Sequence, residues 1–183
     1  MRSRSVPKIF MNKISKLGQL VNFALYLTLQ LVVAQFVVLE RTALCLVYVA
    51  FLLLLPRRQA GLSLLLWISF VVGLSVDMFY NSGGIHAFAS VLMVYGRSFL
   101  LQYLLPTSDY EVAIQPTLSN LGWRRFSLFS LLLIGLHHLA LFLLEAAHPM
   151  LFFVIMRKVV FSTLLTYIAV LCTQGMILLV RRR

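Results

Sequence analysis

Apolar residues gather into six runs along the chain, and short polar breaks separate them. The first run extends from Gly18 to Leu39 and ends at Glu40-Arg41. The second covers Thr42 to Leu55 and stops at Pro56-Arg57-Arg58. The third goes from Gly61 to Tyr80, and the fourth from Ile85 to Leu105 after the turn Asn81-Ser82-Gly83-Gly84. The fifth covers Phe126 to Glu145, and the sixth Met150 to Val180. Roughly 20 apolar residues in helical conformation cross the hydrocarbon core of a bilayer. The pattern therefore predicts an all-α, polytopic membrane protein with about six transmembrane helices.

Two runs depart from the ideal length. The second, as a helix, reaches only about 21 Å, so it must borrow flanking residues, thin the bilayer or sit against other helices. The sixth is too long for one straight span and is interrupted by Arg157-Lys158; Val159 to Val180 alone would cross. Residues 1–17 form a basic segment with no acid, and 18–183 form a single membrane domain. Its one sizeable polar stretch lies at 106–125. The first run is longer than a signal-peptide core and has no small-residue cleavage site, so it reads as a retained helix.

Composition supports the same class. Of the 183 residues, 61% are hydrophobic and 11% charged. That is too few charges to wet a soluble surface, for which roughly 25% is usual. The net charge of +11 comes from sixteen Lys and Arg against five Asp and Glu. Basic residues collect in cytoplasmic loops and meet anionic lipid there. With both termini inside, twelve basic residues fall on the inner side and three outside. No basic–aromatic module accompanies the charge, so nucleic acid is not expected as a partner. Cys45 and Cys172 lie in apolar runs without metal-ligand spacing and read as small buried hydrophobes.

Charges inside membrane spans are functional candidates, since an unpaired charge at the bilayer centre costs about 2.5–3.5 kcal/mol or more. The charged candidates are Asp77, Arg97, Glu145, Arg157 and Lys158, joined by His86, His137, His138 and His148; Asp77, His86, Arg97, His138, Glu145 and Arg157 are the ones singled out as site residues. The six-run order puts Asp77, His86, Glu145 and Arg157 at one outer level, on four different helices. They suit a paired polar layer or, more plainly, four helix ends at the interface. His86 and Arg97 are eleven residues apart and share a helix face with Ser90 and Met93. Arg97 either snorkels or pairs internally. His138 and Glu145 share another face, whereas His137 points elsewhere. Adjacent histidines diverge by about 100° and make no metal site. There is no phosphate-binding loop, nucleophile elbow or zinc helix. No enzyme activity, metal or cofactor is expected.

Gly73, Asp77, Phe79, Gly84, His86 and Ala87, between two apolar helices and ahead of Arg97, form an ordered set. It resembles the signature region of the rod-shape-determining MreD family. The stretches Ser108 to Phe126 and Leu131 to Glu145 resemble one branch of that family. The resemblance implies a non-enzymatic scaffold in the bacterial inner membrane, with MreC as partner and with MreB, RodA and a penicillin-binding transpeptidase in one complex. That complex directs lateral peptidoglycan synthesis and cell shape. The resemblance also implies an architecture like that of the substrate-binding subunits of energy-coupling-factor transporters. A membrane subunit that binds a small solute from the outer face is therefore the alternative.

Overall fold

The computed structural model describes residues 45–55, 61–104, 116–146 and 152–181. The chain is all α-helical over these residues. The helices are α1 (Tyr48–Leu54), α2 (Leu62–Tyr80), α3 (Ile85–Leu104), α4 (Leu118–Ala146) and α5 (Phe152–Arg181). Four of them, α2 to α5, are long and apolar enough to cross a membrane. The chain is a multi-pass membrane protein with four candidate spans among the described residues. The first run and the basic segment 1–17 lie outside those residues, as does 105–115 of the expected polar loop.

Packing follows chain order: α2 on α3, α3 on α4, and α4 on α5, with α1 against α3, α4 and α5. The pairs run antiparallel. Gly73 meets Ala87 across α2 and α3. Gly135 meets Thr163 across α4 and α5, and Leu118 meets Gln174 further along the same pair.

The described helix of the short second run is well below the length of a span. This helix, α1, has seven residues and so covers about 10 Å, a third of a bilayer core. Leu46 to Ala50, Leu52, Leu53 and Leu55 are all buried. A helix apolar on every side belongs inside a protein, and here the four long helices have α1 as part of their core.

The polar stretch and the last run also differ from expectation. Helix α4 begins at Leu118, so part of 106–125 is helical, and Gly122 (φ 74°, ψ 163°) kinks it before Trp123. The sixth run is one unbroken helix of 30 residues. Arg157-Lys158 does not divide it, because both residues are good helix formers. Arg157 is exposed, and the Lys158 ammonium sits 5.7 Å from the centre of the Phe142 ring. At about 45 Å, α5 exceeds the hydrocarbon core and accommodates by tilting or overhanging it.

Candidate functional site

The turn between α2 and α3 is built around Asp77. One turn before the end of α2, its backbone carbonyl accepts the N–H of Asn81, which closes the helix in left-handed conformation (φ 52°, ψ 42°). The same carbonyl accepts the Ser82 N–H at 3.3 Å. Gly83 (φ 64°) and Gly84 (φ 97°) then reverse the chain through backbone angles that a side chain disfavours. The reversal brings the start of α3 onto the Asp77 carboxylate. Oδ1 accepts the His86 N–H and Oδ2 the Ala87 N–H, both at 2.9 Å. The Ser82 hydroxyl donates to Oδ1 at 2.5 Å. A helix starts with N–H groups that have no intrahelical partner, and its positive end favours an anion. Asp77, only 4% exposed, meets both needs from the neighbouring helix.

Gly73 allows that approach. A Cβ there would lie 2.4 Å from Ala87 Cα and 2.7 Å from the His86 carbonyl oxygen. The backbones of α2 and α3 touch at this point, so the first atom of any side chain collides with main chain. Gly73, Asp77, Gly84, His86 and Ala87 thus form one mechanical unit.

His86 continues the unit inward. The Tyr48 hydroxyl of α1 lies 3.0 Å from His86 Nδ1 and 2.8 Å from His137 Nε2 of α4. A phenol has one proton to give, so it donates to one ring nitrogen and accepts an N–H from the other. All three side chains are buried. A second connection lies beside the first. His138 Nε2 is 3.1 Å from Thr166 Oγ1 of α5, which also accepts the Leu46 N–H at 3.1 Å. Further along α3, Arg97 is 2% exposed and its guanidinium donates to the Leu55 carbonyl at the end of α1. A cation at a helix C-terminus suits both the orphan carbonyls and the dipole there. His86, Ser90, Met93 and Arg97 are all buried.

The expected outer layer is therefore only partly assembled. Asp77 and His86 come together through the His86 backbone N–H, not its ring. Glu145 and Arg157 are exposed, and neither takes part in an ion pair among the described residues. Arg157 is not an Asp77 partner: the carboxylate oxygens already accept backbone and hydroxyl donors, and α2 packs on α3, not α5. Glu145 also parts from His138. Seven residues put them on one face, but His138 is covered by α5 while Glu145 lies at the end of α4, beyond that cover.

Of the network's residues, Tyr48 escapes a reading of the sequence for membrane charges, and His137 is set aside by it. Tyr48 is the one hydrogen-bonding side chain between Val47 and Leu55. A phenol in an otherwise apolar buried helix needs a partner, and that was the available signal. His137 points about 100° away from His138, but α4 is packed on two sides, so both faces are interior. Among the described residues no group of three or more His, Cys, Asp and Glu side chains is arranged to hold a metal. Tyr48 joins three helices, and each donor and acceptor named here ends on another part of the protein. Compared with known proteins, the chain matches no family model, no curated protein and no solved structure.

Proposed function

We propose that the chain is a non-enzymatic scaffold of the bacterial cell-elongation complex, in the role of an MreD-like protein. In this reading it crosses the inner membrane six times with both termini in the cytoplasm. It binds MreC and, through the complex, MreB, RodA and a penicillin-binding transpeptidase. The observation that carries this reading is how the polar residues between Gly73 and Arg97 are used. Asp77 caps α3, His86 is tied to Tyr48, and Arg97 caps α1. These bonds tie the segment that bears the resemblance into the helix packing, as a scaffold role requires. Two grooves between the described helices are open and apolar.

Two experiments test the reading. Tagged protein crosslinked in membranes of its host should co-purify with the MreC-like and RodA-like proteins, and its loss should turn rods into spheres. Turnover of a lipid-linked wall precursor by the purified chain alone would refute the scaffold role. For orientation, cysteines placed at Asn81 and Ser82 should react with an impermeant reagent from outside, and one at Gln115 should not. Reversed labelling would overturn the topology.

A further inference from the structure

Between α3 and α4 runs an open groove of about 400 Å³, lined by Gly96, Phe99, Leu100, Tyr103, Leu132 and Leu136 among others. On α3 its residues follow the spacing of one helix face, and Gly96 lowers the wall. A Cβ at Gly96 would already come 3.1 Å from the Leu136 side chain. Tyr103, 88% exposed, stands at the groove's end near the close of α3. On α4, Leu132 and Leu136 are seven and eleven residues after Arg125. Those separations place each leucine within about 20° of Arg125 around the helix. Arg125 therefore continues the apolar stripe, roughly 10 Å below Leu132. It is exposed, as is Arg124 beside it. With Gly96 opposite Leu136 and the helices antiparallel, Arg125 falls about one turn beyond Tyr103.

The geometry points to a binding site for one anionic glycerophospholipid, with an acyl chain along the groove and its phosphate on Arg125. Each part of the ligand meets matching chemistry. The groove walls are hydrocarbon and lie within the span. The α4 segment after the Gly122 kink is about 36 Å long, so Arg125 falls at headgroup depth. A guanidinium there offers the planar, two-pronged donor set that grips a phosphate. Tyr103 supplies an amphipathic ring where chain meets headgroup. A zwitterionic lipid fills the groove equally well but carries a cation that Arg125 repels. A partner helix fills the groove but leaves the arginine unused.

Quenching by brominated lipid tests this in the full chain reconstituted into vesicles. Tyr103→Trp in a Trp67→Phe, Trp123→Phe background places one reporter in the groove. Trp67, exposed on α2, is the control in a Trp123→Phe background. Dibrominated phosphatidylglycerol, mixed into phosphatidylcholine, should quench the groove reporter at about fivefold lower mole fraction than dibrominated phosphatidylcholine does. The Trp67 control should show no preference. Arg125→Gln should abolish the preference while leaving the Trp67 signal unchanged, and Gly96→Leu should reduce it by filling the groove. Equal quenching by the two lipids, or a preference that survives Arg125→Gln, would overturn the proposal. So would a groove reporter shielded from both lipids, which would mean that a protein helix sits there.

Discussion

The α2–α3 end and the α4–α5 end of the molecule face the same side of the membrane and carry similar residues. Asp77 and His86 lie at one, and Glu145, Arg157 and Lys158 lie toward the other. Only the first is built into the structure. Asp77 lies one turn before the end of α2, and a four-residue turn with two glycines folds the N–H groups of α3 onto it. Glu145 lies one residue from the end of α4 and is exposed, and Arg157 is exposed on α5. A carboxylate in a membrane protein is thus held by whatever donors come to it. Here those donors are two backbone N–H groups and a hydroxyl, not an opposite charge. Sharing a level in the bilayer does not create contact.

The two ends also differ in how closely their helices approach, and this gives the largest expected effect. Gly73→Ala drives a methyl group into the main chain of α3, 2.4 Å from Ala87 Cα. The hairpin must open, at a cost of about 3 kcal/mol. Gly135→Ala, in the α4–α5 pair, meets only the Thr163 side chain at 4.0 Å and should leave stability within about 0.5 kcal/mol. Unfolding in mixed micelles measures both. Equal losses would mean that the two pairs are equally close and would remove the contrast.

The next effect probes how far the fixed end reaches inward. Tyr48→Phe keeps the packing of α1 but removes the hydroxyl between His86 and His137. Burying polar nitrogens without their partner should cost about 2 kcal/mol. Removing His86 in addition should cost little more, because the two act through one bond. Additive losses would show that the bridge contributes nothing. Asp77→Ala is smaller, about 1.5 kcal/mol, the scale of a lost helix cap. Asp77→Asn should lose about 0.5 kcal/mol, since the amide oxygen still accepts a backbone N–H. If Asn were as damaging as Ala, charge against the helix dipole would outweigh hydrogen bonding.

The long apolar helices were legible because a bilayer demands a run of a certain length and tolerates few charges. α3 and α5 fall within a few residues of where the pattern places them. The pairing of Asp77 with the start of α3 was half legible: proximity follows from the tight turn, but the ring of His86 was not the donor. The packing of α1 was one of three readings that its length left open. A run that short must borrow residues, thin the bilayer or sit against other helices, and the structure shows its described helix packed on α3, α4 and α5. His137 was set aside because periodicity gives the angle between two faces but not how many of them are covered. The helical start at Leu118 was hidden by polar composition. Thr117 and Gln174 supply a local reason for it: Thr117 accepts the first returning N–H groups, and Gln174 of α5 accepts the Leu118 N–H.

The smallest expected effect is the sharpest test of the comparison. Glu145 and Arg157 have the charges of an ion pair and sit on neighbouring antiparallel helices, so their sequence positions invite pairing. Both are exposed, and an exposed pair gains little after solvent screening and side-chain ordering. A double-mutant cycle with Glu145→Gln and Arg157→Gln should give a coupling of about 0.5 kcal/mol or less. Raising the salt concentration should shrink even that, by screening of exposed charges. The parallel cycle between Asp77→Asn and Arg157→Gln should give no coupling, because Asp77 is satisfied by Ser82, His86 and Ala87. A salt-insensitive coupling well above that value in either cycle would mean that a cation does close the outer layer. The two ends of the molecule would then be held by the same kind of bond after all.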